Sequence, residues 1–147
     1  DGKVVPSSSP VILNEVKNLS PGTLIAVATF SNARKWIKGE KVIRSYEWTR
    51  YASLPELRIS GGMGKLLKAF IQDVHPDDIM SYADLEWSEG KVYEQLGFIK
   101  ESEKGPVMFA IDRQMKRTPV SRCPQNEDSL FFRNSGSLKY RLKLSDY

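Results

Sequence analysis

The chain has little of what metal and disulfide chemistry require. Its 147 residues include one cysteine and one histidine. A single cysteine, Cys123, excludes an internal disulfide and a cysteine zinc cluster. A single histidine, His75, cannot build a histidine-rich metal site. His75 precedes Pro76 and reads as a loop residue near a helix C-terminus, and Cys123, beside Pro124, reads as a loop thiol. No metal site is therefore expected. No apolar run approaches the roughly 20 residues of a membrane helix. No apolar core follows Asp1-Gly2-Lys3, so the start does not read as a signal peptide. We expect a cytoplasmic protein without a membrane partner.

What is present is enough for one domain with a real core. Charge is unevenly placed. Residues 114–147 hold seven basic groups against three acidic ones and so carry the whole net charge of +4. With Phe131, Phe132 and Tyr140 interleaved, this segment can be read as a nucleic-acid contact. The reading we prefer here is a solvated edge, because so small an excess is common.

Residues 53–67 are the most informative stretch: Ser-Leu-Pro-Glu-Leu-Arg-Ile-Ser-Gly-Gly-Met-Gly-Lys-Leu-Leu. A strand-like run, Val42 to Ala52, leads into it. An apolar-periodic helix, Gly64 to Val74, leaves it. Strand, glycine turn, helix aims free backbone N–H groups and a helix N-terminus at one point, which suits a phosphate or pyrophosphate. The glycines let a ligand approach the backbone. The stretch is not a Walker-type loop, because Lys65 is followed by Leu66, and it lacks the dinucleotide fingerprint's spacing.

The remaining elements follow from pattern. Residues 1–22, rich in Ser and Pro, read as an N-terminal arm, with one or two helical turns within Val11 to Leu19. Thr23 to Ile37 begins as a buried strand and forms a hairpin with Val42–Ala52 through the turn Lys38 to Lys41. After His75-Pro76, Ile79 to Ala83 is a short apolar strand, and the helix before it predicts a parallel crossover. Glu89 to Leu96 is a second helix closed by Gly97. Strands follow from Phe98 and from Val107 to Ile111. Leu130 to Arg133 and Leu138 to Leu142, either side of Asn134-Ser-Gly-Ser137, read as a hairpin. The expected organisation is an arm (1–22), a core (23–113) and a basic C-terminal extension (114–147) of the same domain.

In this order of elements, two motifs resemble the GNAT superfamily of N-acetyltransferases. Pro55, Arg58 and Gly61 resemble that family's acetyl-CoA pyrophosphate loop. Val92-Tyr93-Glu94-Gln95-Leu96-Gly97-Phe98 resembles its Leu-Tyr-x-x-x-Gly-Phe segment, and Val92 lies 34 residues after Arg58. The segment from Ser81 to Gly90 is also similar to GNAT-like domains of phage-type proteins of uncertain activity. The resemblance covers residues 23–112. It departs at Met63, where the family has Gly or Ala, and at Glu86 and Glu89, where many members have Asn and Ala. The implied class is α/β (α+β): a mixed central sheet flanked by helices, with a reduced N-terminal part.

The resemblance implies an acyltransferase that moves an acetyl group from acetyl-CoA, as cosubstrate, to an amine of a small molecule or peptide by direct attack. That mechanism suits a chain with no evident nucleophile–base pair. Backbone N–H groups of Ser60, Gly61, Gly62, Met63, Gly64 and Lys65 are then expected to hold the pyrophosphate, with charge from Arg58 and Lys65. A strand N–H near Leu54 is expected to polarise the thioester carbonyl. Tyr93 is the expected general acid, because a phenol suits proton donation to a thiolate. Its plainer reading is a core tyrosine. Glu47 and Asp84 are candidate general bases, each with a plainer reading as a surface or turn carboxylate. The competing function is a catalytically inactive GNAT-like module that binds nucleic acid or protein through the basic segment.

Overall fold

The computed structural model describes residues 3–4, 20–55, 57, 59–122 and 130–147. The helical turns expected within Val11 to Leu19, Arg58 of the loop, and Cys123 lie outside the described residues. In chain order the elements are β1 (Lys3–Val4), β2 (Ala26–Phe30), β3 (Arg34–Lys38), β4 (Lys41–Ser53), α1 (Gly62–Val74), β5 (Asp78–Asp84), α2 (Lys91–Gln95), β6 (Ile99–Lys104), β7 (Met108–Ile111), β8 (Arg117–Pro119), β9 (Leu130–Arg133) and β10 (Ser137–Lys143). A 3-10 turn, Val120–Arg122, follows β8. The fold is α+β, with mixed strand pairing and few helices among the described residues. The chain divides into two compact units, Asp1–Ser81 with Arg141–Tyr147, and Tyr82–Tyr140.

In the first unit the strand order is β1-β2-β4-β5-β10, and β3 also pairs with β4. The predicted hairpin is present: β3 and β4 pair antiparallel from Arg34↔Ser45 to Lys38↔Lys41. β2 pairs with the later part of β4, from Phe30↔Trp48 to Ala26↔Ser53. The predicted parallel crossover is present too, with Ser45↔Asp78, Tyr46↔Ile79 and Glu47↔Met80. α1 makes that crossover. Its buried side chains, Leu66, Leu67 and Phe70, recur at helical spacing and form one apolar stripe. Phe70 stacks on Phe30 with ring centroids 3.7 Å apart and meets Tyr46 edge-on. Phe30 in turn stacks on Trp48. Each such buried side chain stabilises the fold by about 1.5–3 kcal/mol. The helix stops where expected. His75 adopts φ 52 and its N–H bonds the Ile71 carbonyl, and Pro76 follows.

Asp77 and Asp78 fasten the segment after β10 in the same unit. Asp77 accepts the Arg44 N–H at 2.7 Å and the Ser145 hydroxyl at 2.8 Å. Asp78 is fully buried. It accepts hydrogen bonds from the Ser45 hydroxyl, from Arg141 Nη1 at 2.6 Å and from the Tyr147 hydroxyl at 2.7 Å. Every buried carboxylate oxygen thus has a donor, which is the condition for burying a charge at tolerable cost.

In the second unit β10 neighbours β6, and β8-β7-β9 form a separate antiparallel sheet. The expected hairpin between residues 130–133 and 138–142 is corrected here. Both strands exist, but β9 pairs with β7 (Phe109↔Phe132), and β10 joins the larger sheet. Asn134 explains the parting. Its side-chain oxygen accepts the Val107 N–H and its own N–H bonds the Val107 carbonyl, so the chain is tied to the start of β7 rather than turned back on β9. α2 is shorter than expected, and Gly97 after it has φ 86 as predicted.

Candidate functional site

The glycine stretch folds as a turn that opens α1. Gly61 takes φ 69 as the N-cap, a conformation that favours glycine. A Cβ placed there would meet nothing within 4 Å, so the backbone faces open space. Gly62 is glycine for another reason: its Cβ would lie 2.6 Å from Ile59 Cγ2 and 2.9 Å from the Tyr51 hydroxyl. The Gly62 N–H bonds the Ile59 carbonyl, and the Lys65 N–H bonds the Gly61 carbonyl. The first-turn N–H groups of Met63 and Gly64 have no intrahelical acceptor by helix geometry. No side chain caps them, the first turn carries no acid, and no acceptor among the described residues meets them. Met63 and Gly64 are half-buried, and Ser60 and Lys65 are exposed. Uncapped N–H groups, a helix dipole and a nearby lysine are features that suit an anion.

β4 leads into this turn, and it carries a bulge. Thr29 pairs with Arg50 and Phe30 with Trp48, which leaves Thr49 as the extra residue. Thr49 is held there by hydroxyl bonds to Thr29. A bulge reverses which backbone groups face which neighbour. Before it, the Trp48 carbonyl faces β5 and accepts the Ser81 hydroxyl at 2.9 Å. After it, the Leu54 N–H faces β2 and bonds the Ile25 carbonyl at 3.0 Å. The Leu54 donor is thus engaged. By strand alternation the N–H groups of Tyr51 and Ser53 face the opposite edge. The parallel β4–β5 register ends at Glu47↔Met80, six residues before β4 does. Past that point β4 is paired on its β2 side alone among the register pairs described.

The candidate bases are both tied to other partners. Glu47 is half-buried on β4, and its carboxylate lies 2.7 Å from Arg34 Nη2. Its backbone N–H donates to the Ser31 hydroxyl oxygen. Asp84 is exposed at the end of β5, where its carboxylate accepts the Glu86 N–H at 3.0 Å and its carbonyl accepts the Trp87 and Ser88 N–H groups. It shapes a turn. Of the acids that depart from the family pattern, Glu89 is neutralised by Lys91 at 2.6 Å. Their hydrogen bond and mutual attraction lower the Glu89 pKa and raise that of Lys91.

Tyr93 sits half-buried in α2. Its ring meets Phe98 edge-on and lies 5.4 Å from the Tyr140 ring. The Tyr140 hydroxyl bonds the Glu89 carbonyl at 3.2 Å and Glu94 Oε1 at 3.3 Å. Burial, and then the charge of Glu94, push the Tyr140 phenol above its ordinary value, so Tyr140 stays a neutral packing partner. Leu54 and residues 60–65 are therefore gathered at the end of β4 and the start of α1, with Glu47 further back on the same strand. Asp84 and Tyr93 belong to the second unit. Sequence reasoning missed Tyr51 and Ser53, because only the bulge at Thr49 shows which way their groups face.

No family model and no curated protein matches the sequence. A solved structure does match. A chain in a crystal structure of the NatC complex bound to Gag peptide and CoA aligns with a TM-score of 0.52 at 19% identity, covering 88% of this chain and 67% of that one. At that identity the likeness is one of fold: the mixed α+β sheet of this chain matches a GNAT-like structure. No helix among the described residues is long and apolar enough to cross a membrane. No cluster of potential metal ligands occurs among them.

Proposed function

We propose that this chain is an acetyl-CoA-dependent N-acyltransferase whose acceptor is the amine of a peptide or small molecule. The observation that carries the reading is the α1 N-terminus: open glycine backbone, two uncapped N–H groups, and no acid in the first turn. These features fit the pyrophosphate of coenzyme A. The GNAT-like fold, and the CoA and peptide in the structural neighbour's crystal, support the same class.

Acetyl-CoA supplies the acetyl group as a thioester. The N–H groups of Met63 and Gly64 bind the pyrophosphate, and Lys65 adds charge. The Ser53 N–H, on the edge of β4 away from β2, takes the part first expected near Leu54: it donates to the carbonyl oxygen on which negative charge builds. The neutral amine attacks the carbonyl carbon and the C–S bond breaks; the Tyr93 phenol gives its proton to the departing sulfur and regains one from the amide nitrogen by way of solvent. Glu47 and Asp84 are given no part in deprotonating the amine, since each carboxylate already accepts from a neighbour.

The experiment is CoA release from acetyl-CoA over a panel of peptide and small amines, with wild type and Tyr93→Phe. The variant keeps the ring contacts and loses the proton. It should lower kcat by about 10²- to 10⁴-fold with KM little changed. Turnover by wild type with an unaltered Tyr93→Phe rate would remove Tyr93 from the chemistry. Absence of acetyl-CoA binding would remove the reading itself.

A further inference from the structure

The small sheet β8-β7-β9 has no part in the acetyl-CoA reading, and its surface is unusual. Residues 107–122 and 130–134 carry five basic side chains, Arg113, Lys116, Arg117, Arg122 and Arg133, against one acid, Asp112. That acid is exposed and shapes a turn: its Oδ1 accepts the Gln114 and Lys116 N–H groups at 2.9 and 2.8 Å. Among the described residues of this stretch basic side chains thus outnumber acidic ones, and the sequence between β8 and β9 adds Glu127 and Asp128. Aromatic surface lies among these charges. The Arg117 guanidinium is stacked 3.8 Å from the Phe109 ring and also faces Phe132 at 5.2 Å. Phe131 is 56% exposed and Leu130 72%.

We propose that the β8-β7-β9 sheet binds single-stranded nucleic acid. Arg117 on β8, Arg133 on β9 and the basic residues of the neighbouring turns match a flexible phosphate backbone, and a stacked guanidinium on one face and an exposed phenyl ring on the other offer planar surfaces to unpaired bases. Arg117 is held flat in advance by Phe109 and Phe132, which lowers the entropy lost on binding. A flat anionic membrane fits less well. Leu130 and Phe131 are consecutive residues of β9, so they project from opposite faces of the sheet and cannot both enter one bilayer plane. A single strand can wrap the edge that β9 forms. The charge count alone favoured a solvated edge; the stacked Arg117 and the exposed Phe131 change that balance.

The test is fluorescence anisotropy of a labelled oligothymidylate of about 20 nucleotides, titrated with the full chain without acetyl-CoA. It is independent of the transferase reading. Affinity should fall between about 50 and about 200 mM salt, with a log–log slope of about −2 to −3 for three or four phosphates. Phe131→Ala should weaken binding about tenfold at every salt concentration and leave the slope unchanged. Arg133→Ser should make the slope shallower by about 0.7. Circular dichroism verifies that each variant is folded. Should either fail to fold, the wild-type slope and competition by heparin decide: heparin matched by charge should compete less well than the oligonucleotide. The proposal is overturned by no binding at low salt, by wild-type affinity in Phe131→Ala, by heparin competing equally, or by binding to phosphatidylserine vesicles in place of the oligonucleotide.

Discussion

Replacing Asp78 by alanine should be among the most damaging single changes in the chain. The carboxylate is fully buried, and both oxygens are used. Its loss takes the Asp78 carboxylate away from the Arg141 guanidinium, whose side chain is 15% exposed. Removing one partner of a buried ion pair costs about 3–5 kcal/mol. The Ser45 and Tyr147 hydroxyls lose an acceptor as well, at about 1 kcal/mol each if they stay dry. An ordinary domain has about 5–15 kcal/mol in all, so the variant should be marginal. Urea denaturation followed by circular dichroism measures it. With an m-value of about 2 kcal/mol per M, the midpoint should fall by about 3 M. Pairing Asp78→Leu with Arg141→Met should recover most of the loss, because replacing both charges by apolar groups removes the two ions together. A loss under about 1 kcal/mol for Asp78→Ala, or simple additivity in the double variant, would refute the argument.

Tyr147 gives a pH signature. Burial, then the hydrogen bond to Asp78 and its charge, push its phenol up to about 12. The folded state therefore keeps a proton that the unfolded chain loses near pH 10. Its contribution is complete below pH 10 and declines as pH rises from about 10 to about 12; Tyr147→Phe should flatten that part of the stability profile. Asp77 acts in the other direction. The Arg44 N–H and then the Ser145 hydroxyl hold its carboxyl below 3.8. Its contribution is present above pH 4 and lost as pH falls further, and Ser145→Ala should weaken the acid dependence seen in thermal melts. Gly90 has φ 76, and a Cβ there would strike the Tyr140 ring. Gly90→Ala should cost about 1–3 kcal/mol and show as a lower Tm.

Local chemistry made much of the fold legible. The stripe of Leu66, Leu67 and Phe70 marked α1, His75-Pro76 marked its end, and the helix length forced the parallel β4–β5 pairing. What stayed hidden depended on non-local hydrogen bonds. Nothing in Leu130–Arg133 says that its partner is β7 and not β10; that choice is made by Asn134 bonding to Val107, 27 residues away. Nor does any residue pattern announce the bulge at Thr49, because a threonine fits a regular strand as well. That one extra residue decides whether Leu54 or Ser53 presents its N–H to the open edge. The candidate site was legible as a motif, because glycine spacing is a local property. Its caps were not, because an uncapped N–H is defined by what fails to reach it.

The most direct test of the central claim is the affinity of coenzyme A, by calorimetry, for wild type and for Gly64→Glu. A glutamate in the first turn favours the helix through its dipole and better propensity, yet it places negative charge where the pyrophosphate is expected. Wild type should bind, and be raised in Tm by the ligand. Gly64→Glu should melt no lower than wild type and bind at least about tenfold more weakly. Equal affinity in the two proteins, or none in wild type, would contradict an anion site at the start of α1.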